Sequence, residues 1–283
     1  MIKLIFETKG SSYLCDEINR DIDPNYVQRV LEQDLTAYFR NHDFSEKRIL
    51  DFGCGSGASS MILSRMFPDA KIVGVELEEE LLRVARARLS FYEYPNIEFY
   101  LSPSGNELPS EIGEFDFVIM SAVYEHLLPE ERKTVMPTVW SVLKQNGHLF
   151  LNQTPHRWFP VEHHTTGLPF LNYLPATIAY RVAKKFSKRT DPSESWEILL
   201  RRGIRGATEN EIISALEIGS TAKPVLLEPS EKNLKDRIDL WYSQLNQRKR
   251  LTAKKAIRSL LKAIRVVTGQ ILVPNLSLVI KKT

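Results

Sequence analysis

The stretch Asp51-Phe-Gly-Cys-Gly-Ser-Gly57 sets three glycines at alternating positions directly after an apolar run. A tight glycine turn between a strand and a helix lets backbone approach a ligand where a side chain would clash. The helix N-terminus behind it favours negative charge or polar nucleotide groups. The spacing Gly53-x-Gly55-x-x-Ala58 also satisfies the dinucleotide fingerprint. The glycines therefore point to a nucleotide cofactor without choosing one. Asp51, two residues before the first glycine, would repel a pyrophosphate and would suit an ammonium group. Glu76, at the end of the next apolar run, could accept both hydroxyls of an adenosine ribose.

A second group of chemistry-bearing residues follows the later strands. Glu125-His126 comes shortly after Phe117-Val-Ile-Met120. The segment from Thr154 to Pro175 holds Arg157, Glu162, His163 and His164 among prolines and aromatics. One acid and two imidazoles within three positions could supply a general base or orient a polyol, and Arg157 could pair with a substrate anion. The competing reading is that Glu162 and His164 pair internally to fix the loop. Adjacent ligands rarely close a tetrahedron and no cysteine is near, so a zinc site is not expected.

These groups need a scaffold. Arg48–Phe52, Lys71–Val75, Ile97–Tyr100, Phe117–Met120 and His148–Asn152 read as short apolar strands separated by helical stretches at 58–67, 79–90 and 130–143. Asn146-Gly147 reads as a turn. That alternation predicts an α/β, Rossmann-like sheet, mostly parallel, with helices on both faces. Lys223–Leu227 and Asn275–Ile280 add a sixth and a closing strand, making seven. Thr208 and Glu211 form an expected capping box for another helix. The expected organisation is an N-terminal helical cover over 1–44, a cofactor-binding core over 45–155 and an inserted lid or substrate segment over 156–202. Residues 203–283 complete the sheet and carry a basic helical insertion at about 231–268.

Composition sets outer limits. The 283 residues are 43% hydrophobic and 26% charged, an ordinary globular balance. No run of 18 or more apolar residues suggests a transmembrane helix. The start lacks a signal-peptide pattern, so cytoplasm is the expected location. Two distant cysteines, Cys15 and Cys54, predict neither a disulfide nor a zinc site. The net charge of +3 hides an asymmetry: residues 246–283 carry 10 Lys or Arg and no acid, leaving −7 on the remainder. Within 251–267, Ala253, Ile257, Leu260, Ile264 and Val267 share one helical face. Such a helix could lie on an anionic membrane surface, or cover the core with its charges facing water. Nucleic-acid binding is not expected, because the body is acidic and no recognised module is present.

Taken together the motifs resemble a family. Ile49–Gly57 is similar to the first motif of class I S-adenosylmethionine-dependent methyltransferases, and Val73-Gly-Val-Glu76 to their second. Phe115–Leu127 resembles their fourth-strand motif, and Leu143–Phe150 the helix-turn-strand that follows. The likeness covers roughly residues 45–155 and the closing strand. It implies S-adenosyl-L-methionine as cofactor, held by Asp51, Gly53, Cys54, Gly55, Gly57, Glu76, Leu77, Ser104, Gly105 and Ser121. Where the family usually has an acid for the adenine amine, Ser104-Gly105 stand before Leu108-Pro109. Ubiquinone-pathway relatives can hold a cation with Glu-x-x-Glu-His; Ala122 takes the first of those places, and no metal is expected. The activity implied is methyl transfer to a small-molecule or glycan-like acceptor at oxygen, with His164, His126 and Glu162 as catalytic candidates. A nicotinamide oxidoreductase and a non-catalytic cofactor-binding partner subunit remain alternatives. The acceptor and the oligomeric state are not legible.

Overall fold

Arg48–Phe52 (β1), Lys71–Glu76 (β2) and Phe115–Ser121 (β4) are short and mostly buried, as apolar strands covered on both faces are, while Ile97–Leu101 (β3) is more exposed. In the computed structural model they join Leu143–Pro155 (β5), Pro224–Leu227 (β6) and Asn275–Lys282 (β7) in one seven-stranded sheet. Its order is β3-β2-β1-β4-β5-β7-β6. All neighbours are parallel except β7, which runs antiparallel to both β5 and β6. The structure describes residues 1–245 and 250–283. The expected helical stretch 231–268 crosses residues 246–249, which lie outside them.

Eleven α-helices are described among these residues, besides short 3-10 and π-helical turns. They are α1 (Ile2–Lys9), α2 (Ser11–Ile22), α3 (Arg29–Thr36), α4 (Ala58–Met66), α5 (Glu79–Tyr92), α6 (Pro129–Ser141), α7 (Ala176–Phe186), α8 (Trp196–Arg201), α9 (Glu209–Glu217), α10 (Arg237–Gln244) and α11 (Leu251–Thr268). Strand alternation distributes the core. Leu50, Val73 and Val118 pack with Trp140 of α6 and Leu216 of α9 on one face. Their neighbours Ile49, Ile72 and Phe117 pack with Leu35 of α3 and Ile62 of α4 on the other. The Thr208–Glu211 capping box forms as its spacing predicts, with both reciprocal bonds present.

Two local expectations are corrected. The turn at Asn146-Gly147 is absorbed into β5, because Leu143 already pairs with Phe115 before a register shift. Asn146 takes φ 63°, a left-handed conformation that Asn tolerates. The second correction concerns α11. Its charges were expected to face water, yet Arg258 bonds Asp239 at 2.6 Å and Arg265 bonds Asp236 at 2.6 Å. Lys262 lies 2.7 Å from Asp239. Asp239 on α10 and Asp236 at its N-cap are both buried, and buried carboxylates demand cationic partners. Leu261 packs inward with Ile238, while Val266 and Val267 stay 86% and 84% exposed. Among the described residues no helix is long and apolar enough to cross a membrane.

The segment after β5 builds a small core of its own. Leu171, Ala179, Ala183, Leu199 and Ile204 cluster there. Arg205 ties it down by donating to the carbonyls of Asn172 and Leu174 at 2.8 and 2.9 Å. Arg201 makes a bidentate pair with Glu131 of α6, which fixes α8 beside the end of β4.

Candidate functional site

The chain steps outward from β1 to β2 and β3, then returns to β4 on the other side of β1. Ligands of such sheets bind beyond the strand ends at this reversal. Two clefts open there, of about 980 and 810 Å³. Lys9, Gly53, Ala122 and His126 line both, so the clefts meet at the ends of β1 and β4.

The glycine loop forms the floor. Gly53 and Cys54 donate to the Val75 carbonyl at 2.9 and 3.1 Å, locking the loop to β2. Gly53 has φ 71°, and a Cβ there would lie 2.8 Å from the Val123 side chain. Glu76 is oriented by three backbone donors: Gly55 at 2.7 Å on one oxygen, Leu77 and Glu78 at 2.7 and 3.0 Å on the other. The oxygen facing Gly55 keeps acceptor capacity for a ligand hydroxyl. Glu76, Leu77, Ser104 and Gly105 line the first cleft. Ser102 braces the turn beside them by donating to the carbonyls of Ser104 and Glu107. Cys54, Gly55 and Ser121 line the second cleft, and Gly57 caps α4 behind them.

Asp51 sits beneath the loop and lines neither cleft. Its carboxylate accepts from Ser59 and Ser60 at 2.7 and 2.6 Å. Burial pushes its pKa up to about 6; the serines oppose the shift and the Glu76 charge adds to it. The folded state thus holds this proton more tightly than the unfolded chain. Asp51 should therefore make unfolding easier as pH rises from about 4 to about 6, by about 3 kcal/mol in total. Above that window its contribution is flat. Denaturation of the ligand-free protein across this range should show the slope, and Asp51→Asn should remove it. An unchanged slope in that variant contradicts the assignment.

After β4 the backbone bends sharply, with Ala122 at φ 56°, a conformation costly without glycine. The bend delivers Glu125 and His126. Glu125 is fully buried and accepts from Thr154 at 2.9 Å; burial, opposed by the nearby His126, raises its pKa. His126 is half-exposed and its Nδ1 lies 2.6 Å from the Arg201 carbonyl.

The loop over residues 160–170 turns its acid inward. Glu162 lines neither cleft; it accepts the backbone N–H groups of His164, Thr165 and Thr166 at 3.1, 2.9 and 2.6 Å and the Thr166 hydroxyl at 2.5 Å. It closes the 160–170 loop on itself. Arg157 is likewise engaged, pairing with Glu211 at 3.1 Å. His164 does reach the second cleft, where burial and the neighbouring His126 lower its pKa. Ligating atoms of Glu125, His126 and His164 come within 4.8 Å of one another, a grouping that sequence reading did not assemble.

Sequence reading also missed the wall supplied by α1 and α2. Lys9, Glu17, Arg20 and Tyr26 line the second cleft. Glu17 is buried, pairs with Lys9, accepts from Ser56 of the glycine loop at 2.7 Å and meets Arg88 at 2.8 Å. Burial alone would raise its pKa, but these partners hold it at about 2. Arg88 also reaches Asp21 and donates to the Ser56 carbonyl at 2.6 Å. One signal was available: Arg88 stands on the apolar stripe of α5 with Leu82 and Ala85.

Residues 49–147 match the family described as a methyltransferase domain. A demethylmenaquinone methyltransferase of Lactococcus lactis subsp. lactis is 32% identical over 175 residues, covering 62% of this chain and 66% of that protein. A malonyl-[acyl-carrier protein] O-methyltransferase of Herminiimonas arsenicoxydans is 30% identical over 130 residues, covering 43% of this chain and 46% of that protein. The chain thus spans less than two thirds of either relative's length. Among solved structures, the plantazolicin methyltransferase BamL, in complex with a desmethyl analogue and SAH, superposes with a TM-score of 0.52 at 12% identity. That likeness covers 99% of this chain and 94% of that one, and at this identity it is a likeness of fold.

Proposed function

The chain belongs to the class I S-adenosylmethionine-dependent methyltransferases, and from that premise we propose that it transfers a methyl group from S-adenosylmethionine to a small-molecule acceptor at oxygen. The observation that carries the reading is the meeting of two clefts at Gly53, Ala122 and His126. The first cleft takes the adenosine. Glu76 accepts the ribose hydroxyls, and Leu77, Ser104 and Gly105 contact the base. The methionine part crosses the glycine loop, with Asp51 beneath supplying negative charge for its ammonium. The sulfonium methyl then faces the second cleft.

The donor is already activated, so the protein's main task is alignment. The acceptor oxygen attacks the methyl carbon as the carbon–sulfur bond breaks, and the sulfur keeps that electron pair. The acceptor's proton must go elsewhere, and His126 and His164 stand where it is released. His126 is prepared for this: the Arg201 carbonyl only accepts, so Nδ1 carries the hydrogen and Nε2 keeps a lone pair. The printed name of the Herminiimonas relative specifies an oxygen acceptor, which supports the same atom here.

Calorimetry with S-adenosylhomocysteine should give saturable binding, and NAD under the same conditions should give none. Absence of S-adenosylhomocysteine binding at millimolar concentration sinks the reading. With an isotopically labelled methyl donor, the chemical shift of the transferred methyl identifies the acceptor atom; carbon or nitrogen attachment overturns the choice of oxygen.

A further inference from the structure

Three side chains, Glu125, His126 and His164, converge at the junction of the clefts. Glu125 is 0% exposed, and its Oε2 is satisfied by Thr154 while its buried Oε1 has no hydrogen-bond partner among the described residues. Oε1 lies 3.8 Å from His126 Nε2, too far for a hydrogen bond. That nitrogen carries a lone pair, because Nδ1 donates to the Arg201 carbonyl. Oε1 and Nε2 therefore face each other with no hydrogen bond joining them. A carbonyl behind an imidazole is also the arrangement that fixes a metal-ligating histidine.

The third side chain arrives from the lid. His164 is brought against Glu125 by Gly203, which has φ 86°. A Cβ on Gly203 would lie 2.9 Å from the His164 ring and 3.2 Å from Glu125 Cγ. Any other residue there would push the pair apart. The ligating atoms of Glu125, His126 and His164 all lie within 4.8 Å of one another.

We propose that Glu125, His126 and His164 bind one divalent transition-metal cation at the junction of the two clefts. Two imidazoles and one carboxylate favour zinc, cobalt or ferrous iron over magnesium, which prefers oxygen alone. Bonds of about 2.0–2.2 Å would set the ligand atoms about 3–3.5 Å apart. Side-chain rotation supplies that contraction. His126 borders both clefts and the other two ligands border the second, so the remaining coordination positions open toward the acceptor. There the cation would hold the acceptor oxygen and acidify its hydroxyl; with both imidazole lone pairs on the metal, the proton would pass to water in place of His126 or His164. That role rests on the methyl-transfer reading; the binding site does not.

The test is titration of the chelator-stripped full chain with Co²⁺, followed by calorimetry and by the d–d absorption of the bound ion, without donor or acceptor. One Co²⁺ per chain is expected. His164→Ala and Glu125→Gln should each weaken it by about 100-fold or more, beyond what loss of an outer-shell partner costs. Gly203→Ala should abolish it. His163→Ala should leave it unchanged, since that imidazole is occupied by Asn275 at 2.9 Å. Circular dichroism confirms that each variant is folded. No cobalt uptake by the unaltered chain, or uptake indifferent to both His164→Ala and Glu125→Gln, overturns the proposal whether or not the chain binds S-adenosylhomocysteine.

Discussion

Replacing Arg88 by methionine should lower the stability of the fold by about 3–5 kcal/mol, the range for breaking a buried ion pair from one side. The size follows from what the substitution leaves behind. Glu17 and Asp21 are both buried and both face the Arg88 guanidinium. Methionine fills much of the same space but cancels no charge. Glu17→Gln in the same chain should recover part of the loss. Urea denaturation measures both changes; a loss below about 1 kcal/mol contradicts the buried-pair account. The same network predicts acid sensitivity. With its pKa held at about 2 against an ordinary 4.5, Glu17 contributes stability that is full above pH 4.5 and is lost as pH falls toward 2. Donor affinity should weaken too, because Ser56 hangs from both Glu17 and Arg88.

Glu76→Ala should weaken S-adenosylhomocysteine binding by about 10- to 100-fold, or about 1–3 kcal/mol, as for lost hydrogen bonds to a charged group. Glu76→Gln should cost less, since its carbonyl oxygen can replace one of the two acceptors while its amide nitrogen cannot. A fragment that carries the ribose, such as methylthioadenosine, should lose affinity in parallel. Equal affinity of the alanine variant and the parent chain would remove Glu76 from the ribose role. The alanine variant also strips an acceptor from Gly55, Leu77 and Glu78, so part of the loss will come from a loosened loop.

The parts of the molecule legible in the sequence are those governed by short-range pattern. β1 to β4 and the helices between them were found because apolar periodicity and glycine punctuation act over a few residues. Asp51, the glycines and Glu76 stand out in the sequence because they lie at or just beyond strand ends. What escaped depends on distant partners. α11 has a clear apolar stripe, but Asp236 and Asp239 turn its cations inward. Glu162 is a local case: the sequence leaves it open as a catalytic acid or a loop brace, and its bonds run to the backbone two to four residues on. Glu125, His126 and His164 are separate in sequence and are joined by a glycine on another segment. The Glu17–Arg88 pair links an N-terminal helix that reads only as cover to a helix that reads only as core.

The position of β7 sets a schedule for how the molecule is made. It is synthesised after every other strand, yet it lies between β5 and β6, and β6 pairs with nothing else in the sheet. During synthesis β5 therefore waits with an open edge, and β6 cannot join until residues 275–282 have emerged. Strand pairing across so long a stretch of chain is slow, and an exposed edge invites pairing with other chains. Clipping the final strand removes two strands from the sheet and frees Lys282 from the carbonyls of Trp140 and Leu143. Completion of the β5–β7–β6 half of the sheet therefore waits on residues 275–282.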